Sequence, residues 1–334
     1  MKKICCFGEI LMRVSPPDNW IERNQLQVYI GGAEANVATA LANWNMPVKY
    51  LTAIPDNYVG RDIETYLQQK NIDTSGIAWQ GNRVGLYYMQ QGVDLKHSGV
   101  IYDRFYSSFY ELKPGDINWD EVFEDVSWFH FTAISPALNI NIAAVCKEAL
   151  EAAQAKGITI SVDLNYRAKL WKYGKDPVEV MPELVQYCDV IMGNIWAANT
   201  LLGISLDKNV EVVNQKGTYL DHAIKTSAEI QQKFPKCKTI AYTFRFDEPS
   251  SGIKYYAALY RDNTLYSSRQ FELQHIADKA GSGDCFMAGL IYGLQHQHKV
   301  QDIIDFASAA AFGKLSEIGD ASKQTVEDVQ KHLT

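Results

Sequence analysis

The sequence predicts an α/β fold in which helices cover a largely parallel sheet and a smaller antiparallel sheet is attached. Two observations carry this. From about Val126 onward, strand-type and helix-type segments alternate, the pattern of βα units that build a parallel sheet. The first part of the chain instead reads mostly as strands rich in aromatic and β-branched residues. No internal repeat, low-complexity tract or linker divides the sequence. A single domain over residues 1–334 is therefore expected, with the small sheet drawn from separate segments, about 8–31 and 83–112.

The elements follow in order. A Gly-Gly turn at residues 31–32 opens an Ala-rich helix, and a second helix is expected near residues 61–69. Residues 85–90 and 99–106 alternate as strands between turn formers. Next come a strand at 128–133, a helix at 140–156 closed by Gly157, a strand at 158–164, a helix at 182–188 and a strand at 190–192. Residues 239–243 and 255–259 read as strands, and two C-terminal helices follow Gly283 and Val300. His296 and His298, two positions apart late in a helix, should not share a face and read as surface.

Composition narrows the function. Lys and Arg number 32 against 39 Asp and Glu, a net charge of −7 that argues against a general nucleic-acid binder. An anionic ligand must then be held by local cations. The six cysteines are scattered with no C-x-x-C pair, which fits neither a zinc site nor a disulfide framework but does fit a reducing cytoplasm. After Lys3 the apolar run is only Ile4-Cys5-Cys6-Phe7, too short for an export signal. No stretch approaches the ~20 apolar residues that span a bilayer. The expected partners are small molecules, with neither nucleic acid nor membrane among them.

The most informative segment is Asp278-Lys-Ala-Gly-Ser-Gly-Asp284-Cys-Phe-Met-Ala-Gly-Leu290. A glycine-rich turn runs into an apolar helical stretch, so unpaired amides and the helix dipole can face an anion. Gly281 and Gly283 permit close approach of backbone to ligand. Asp284 falls in the first turn, where it is expected to stay ionised and accept a proton. Phosphoryl transfer needs these two parts together. On local sequence alone, the same residues also suit an Asp-capped helix after a flexible turn.

The segment is similar to the second signature of the ribokinase, or PfkB, carbohydrate kinase family, usually written D-T-x-G-A-G-D. Gly31-Gly32-Ala33-Glu34-Ala35-Asn36-Val37-Ala38 resembles the family's first signature, and the two stand in the right order about 245 residues apart. The resemblance covers essentially the whole chain. It implies a ribokinase-like fold: a doubly wound, mostly parallel sheet with helices on both faces and a small β-sheet lid over the sugar. Within the family, Phe129-His-Phe-Thr-Ala-Ile-Ser-Pro-Ala-Leu138 and Val162-Asp-Leu-Asn-Tyr-Arg-Ala-Lys-Leu-Trp171 look most like the 2-keto-3-deoxygluconate kinases.

These residues also make chemical sense by themselves. In a strand ending near Asn165, Asp163, Asn165 and Arg167 recur at period two, at the carboxyl end where open α/β sheets bind ligands. An arginine fork suits the carboxylate of a sugar acid. On the lid, Tyr102, Arg104 and Tyr106 should alternate onto one face. The resemblance implies that Gly32, Ala33, Asn36, Tyr87, Tyr102, Arg104 and Arg167 bind substrate. It implies that Asp284 and the amides of Gly281, Ser282 and Gly283 carry catalysis. Asn194, Thr243, Arg245, Lys279 and Ser308 fall on the nucleotide side.

The implied co-substrate is ATP, with Mg²⁺ held mainly by its phosphates, and the family leaves room for a monovalent cation. No protein-held metal site is expected, and a homo-oligomer, dimer or higher, is. There are departures. The family's Asn-x-x-Glu reads Asn194-Ile-Trp-Ala197 here, and its Lys-x-Gly-x-x-Gly turn is replaced by Thr243-Phe-Arg245-Phe-Asp247. Lys279 replaces the usual Thr. The competing readings are a kinase of a neutral sugar such as fructose or ribose, and a sugar-acid binder with weak catalysis.

Overall fold

Apolar strands such as Lys3–Phe7 and Val126–Thr132 are buried along nearly their whole length, which requires cover on both faces of the sheet. The structure, a computed structural model, describes residues 2–90, 99–247 and 252–333. In chain order the early strands are β1 (Lys3–Phe7), β2 (Leu11–Ser15), β3 (Gln27–Gly31), β4 (Val48–Leu51), β5 (Ala53–Ile54), β6 (Ile72–Asp73), β7 (Ala78–Trp79), β8 (Gly85–Tyr88) and β9 (Ile101–Asp103). The later ones are β10 (Val126–Thr132), β11 (Thr159–Asp163), β12 (Val190–Gly193), β13 (Thr239–Asp247), β14 (Ile253–Arg261), β15 (Thr264–Ser267) and β16 (Phe271–Leu273). The helices are α1 (Trp20–Arg23), α2 (Ala33–Asn43), α3 (Tyr58–Gln68), α4 (Trp119–Val122), α5 (Ile140–Ala155) and α6 (Pro177–Val185). They continue as α7 (Ile195–Leu202), α8 (Asn209–Val213), α9 (Lys216–Lys233), α10 (Ser282–Gln295), α11 (Val300–Lys314) and α12 (Val326–Lys331).

The central sheet has the order β15-β14-β13-β12-β11-β10-β1-β4-β6, with β16 pairing β14. From β6 to β13 all pairs are parallel, and β14, β15 and β16 add antiparallel edges. Alternate residues feed two cores. Cys5, Phe7, Phe129, Phe131 and Val162 pack under the helices that include α5, α6 and α9. Ile4, Cys6, Trp128 and Met192 pack under α2, α10 and α11 on the other face. Period-two alternation thus sorts one set of strands into two hydrophobic layers.

Three sequence expectations need correction. The small sheet, β3-β2-β8-β9, is mixed rather than antiparallel, because β2 pairs β8 in parallel. No hairpin links those two strands, so nothing forces them to oppose. Part of the expected second lid segment, residues 91–98, lies outside the described residues. Helix α6 starts at Pro177, not Pro182: Glu179 accepts from the Asp176 N–H at 2.8 Å in a capping box, and Pro182 sits inside the helix. His296 and His298 are exposed, but their rings approach to 5.5 Å, because α10 ends at Gln295 and the chain then turns at Gln297, φ 53°.

Candidate active site

A cavity of about 640 Å³ opens where the carboxyl ends of β11 to β13 meet the small sheet and the start of α10. Ligands of open α/β sheets gather at this edge because the strand ends and helix starts leave backbone groups unpaired there. Gly281 precedes α10 in the left-handed region, φ 78°, and a Cβ at this position would stand 1.8 Å from the Asp320 carbonyl oxygen. Only glycine allows that approach. The amides of Gly281, Ser282, Gly283 and Asp284 precede the helix's own hydrogen-bond ladder, whose first bond runs from the Cys285 N–H to the Gly281 carbonyl. Around Gly283 a Cβ would meet nothing within 4 Å, leaving room over the helix start for a phosphate.

Asp284 is buried in this cradle, and the Asn36 side-chain amide donates to it at 2.7 Å. The Gly-Gly turn therefore does more than pack α2: it brings Asn36 onto the acid 248 residues away. The expectation of a fully ionised Asp284 is corrected. Burial pushes its carboxyl up to about 7, helped by the charges of Asp163 and Asp320 and opposed by Asn36 and Arg167. Desolvation outweighs the helix start. An acid titrating near neutrality is well placed to accept a proton. Asp320 is raised by the same burial, and so are two more cavity carboxyls, Glu34 to about 7 and Asp163 to about 6. Each keeps one backbone donor: Thr132 N–H to Glu34 at 2.9 Å and Asn165 N–H to Asp163 at 3.0 Å.

Gly32, Ala33, Tyr87, Tyr102, Arg104, Asn165 and Arg167 all line the cavity, by routes that differ from the pleat argument. Strand β11 stops at Asp163, so Asn165 and Arg167 reach in from the turn beyond it. Strand β9 stops at Asp103; Arg104 is buried just past its end, whereas Tyr106 is 71% exposed with φ 59° and points away. The aromatic–Arg–aromatic row is therefore not formed. The Arg104 Nε donates to Glu9 at 2.6 Å, and the Ser107 hydroxyl donates to the other Glu9 oxygen at 2.5 Å. The Tyr87 hydroxyl donates to Asp320, so it is the ring that faces the cavity.

Toward the far end, Asn194, Thr243, Arg245 and Lys279 line the same cavity. The Asn194 side-chain oxygen caps α7, accepting from the Ala197 N–H at 2.7 Å. Lys279 pairs with Asp247 at 2.8 Å, bridging the signature to the end of β13. Ser308 is the exception. It is fully buried in α11, outside the cavity lining, and its hydroxyl returns to the Ile304 carbonyl at 2.7 Å, which corrects its assignment to the nucleotide. If Lys279 and Arg245 hold nucleotide phosphates, Lys279→Ala and Arg245→Ala should each raise the KM for ATP several-fold without changing sugar choice. Unchanged ATP kinetics in both would show that these side chains only decorate the rim.

Residues 1–325 match the pfkB family carbohydrate kinases. The chain belongs to that family. It is 28% identical over 338 residues to a 2-dehydro-3-deoxygalactonokinase of Haloferax volcanii, covering 99% of this chain and 96% of the relative. The crystal structure of a 2-dehydro-3-deoxygluconokinase from Thermotoga maritima superposes with a TM-score of 0.89 at 32% identity, covering 99% of this chain and 97% of that one. A fructokinase from Xylella fastidiosa shares the fold at a TM-score of 0.75 and 20% identity, with 99% and 98% covered. The ribokinase-like fold is thereby established, and the chain is a carbohydrate kinase.

Several residues of this kinase site escape sequence reasoning. Glu9 holds Arg104, and Glu34 faces the cavity from the first signature. Beneath the helix start, Arg13 of β2 is wholly buried against Asp278 at 2.6 Å and Asp320 at 3.2 Å. Asp278 does head the signature, so one signal was present. Arg13 and Asp320 stand alone in their segments and carry no local mark of a partner. Among the described residues no helix is long and apolar enough to cross a membrane.

Proposed function

We propose that this kinase transfers the γ-phosphoryl group of ATP to the terminal hydroxyl of 2-keto-3-deoxygluconate, giving 2-keto-3-deoxy-6-phosphogluconate. The observation that carries the reading is the joint placement of Asp284 and two arginines, Arg104 and Arg167, in one cavity. The activities named for the Haloferax and Thermotoga relatives support a sugar-acid substrate. Asp284 takes the hydroxyl proton as the hydroxyl oxygen bonds to the γ-phosphorus and the bond to the β,γ-bridging oxygen breaks. The amides of Gly281, Ser282 and Gly283 hold the charge on the moving group. Mg²⁺ bound mainly to the nucleotide phosphates would supply charge neutralisation there, with Asn194 among the polar side chains that line this end of the cavity. Gly32, Ala33, Asn36, Tyr87 and Tyr102 shape the sugar pocket.

The small sheet, from within 8–31 and 83–112 of a single kinase domain, acts as its lid. Buried free cysteines suit a cytoplasmic location. The outer strands β3 and β9 expose Val28 and Ile101, which favours a dimer or higher homo-oligomer.

One observation favours a neutral sugar instead: Glu9 already neutralises Arg104. Arg167 decides between them. A charged hydrogen bond contributes about 1.5–3 kcal/mol, so Arg167→Ala should lower kcat/KM for the acid by roughly 10–150-fold. Arg167→Lys should recover only part, because an ammonium lacks the two-pronged geometry. Slow phosphorylation of fructose should be spared. Equal losses on acid and neutral sugars, in a variant that stays folded, would move the neutral-sugar kinase ahead.

A further inference from the structure

Lys314 ends α11 with no exposed surface, one of the largest side chains buried so completely. Its ammonium donates to two backbone carbonyls, Gly319 at 2.7 Å and Glu317 at 3.1 Å. Burial lowers its pKa, opposed by the charges of Asp278, Glu317 and Asp320. A buried cation held mainly by peptide oxygens is costly to keep. Its location suggests what it does. A Cβ built on Gly281 would lie 3.3 Å from the Lys314 Cε and closer still to the Asp320 carbonyl, so the lysine stem runs directly beneath the cap of α10. The neighbouring Leu315 carbonyl accepts the Ala277 N–H at 2.9 Å, and the Gly319 N–H donates to Asp278 at 3.3 Å. The loop that Lys314 gathers is thus the floor on which residues 277–281 rest.

We propose that Lys314 is a positioning residue for phosphoryl transfer: a built-in ammonium ion that draws in the Glu317 and Gly319 carbonyls, sets Asp320 under Gly281, and so aims the first amides of α10 at the transferred phosphate. An ammonium held by two backbone carbonyls takes a place that a free monovalent cation could otherwise fill. The side chain supplies that charge from within, and turnover should be indifferent to which monovalent salt is present. The role presupposes phosphoryl transfer at α10, and the test keeps the two apart.

Two variants are compared with the wild type: Lys314→Ala, which leaves a hollow, and Lys314→Met, which fills it without charge. Each is assayed with ATP and 2-keto-3-deoxygluconate, and each is melted in increasing ammonium chloride or tetramethylammonium chloride at constant ionic strength. Misplacing catalytic donors by about an ångström can cost 10²-fold, so both variants should lose roughly 10²-fold in kcat with the sugar KM little moved. Ammonium should then restore part of the kcat of Lys314→Ala with saturation and raise its melting temperature. It should do neither for Lys314→Met, and tetramethylammonium should help neither variant. Wild-type kcat should be equal in potassium, sodium and tetramethylammonium chloride. A Lys314→Ala enzyme within threefold of wild type, an ammonium-blind one, or a wild type that demands one particular cation overturns the proposal. Should the wild type not turn over this sugar acid, the substrate reading fails by itself, and the ammonium-dependent melting of Lys314→Ala still decides the role of Lys314.

Discussion

Asp284→Asn is expected to lower kcat by roughly 10²–10⁴-fold while leaving the sugar KM nearly unchanged. The substitution keeps the size of the side chain and an oxygen for the Asn36 amide, now 2.7 Å away, but removes the proton acceptor. The wild-type enzyme should lose kcat/KM as pH falls through about 7, where burial has placed this carboxyl, and the variant's residual rate should lack that limb. Stability should move the other way. The folded-state value lies above the ordinary 3.8, so the folded protein binds this proton more tightly than the unfolded chain. That contribution is fully present below the ordinary value and is lost as pH rises through the folded one. At pH 8 the neutral amide should therefore melt higher than the wild type, with the difference shrinking toward pH 4. A variant that turns over at near wild-type rate removes Asp284 from the chemistry. One that is inactive but also less stable at pH 8 says the burial argument is wrong.

Gly281→Ala should be nearly as damaging by a different route. Its Cβ would collide with the Asp320 carbonyl at 1.8 Å, and φ 78° is unfavourable for alanine whatever the space. The start of α10 must shift, and loss of aligned donors of this kind costs about 10²–10³-fold in kcat. Melting temperature should fall as well. Gly283→Ala is the informative companion, since a Cβ there meets nothing in the protein. It should fold and melt like the wild type yet bind ATP more weakly, its methyl group taking space left for phosphate. If Gly281→Ala melts and turns over as the wild type does, the close approach of Asp320 has no role in building the cradle.

What the sequence revealed depends on how local each signal is. The start of α10 is legible because glycines, an acid and an apolar helical run lie within a few residues. The parallel sheet is legible because β10, β11 and β12 are short apolar runs separated by helical spacing. Asn36 could be placed at the site but not its bond to Asp284, which joins opposite ends of the chain. Arg13, Glu9 and Asp320 are single charges whose burial is decided by segments far away. The row of Tyr102, Arg104 and Tyr106 failed because period two holds only while a strand lasts, and β9 ends at Asp103. Helix α9 went unread for a related reason. Most of its residues are polar, and the buried set is a narrow stripe that includes Tyr219, Ala223, Ser227 and Ile230.

The parallel pairing of β2 with β8 bears on how the protein is made. Leu11 must find Gly85 across the first quarter of the chain, with no hairpin to guide it, and such long closures come late in folding. The sheet is then anchored from β2 by Arg13 on Asp278 and from β8 by Tyr87 on Asp320, both near the C-terminus. A nascent chain can stack its early βα units while still emerging from the ribosome, but these anchors do not exist until nearly the whole polypeptide has been synthesised. The contacts that hold the small sheet against the start of α10 therefore become available only in the last stretch of translation.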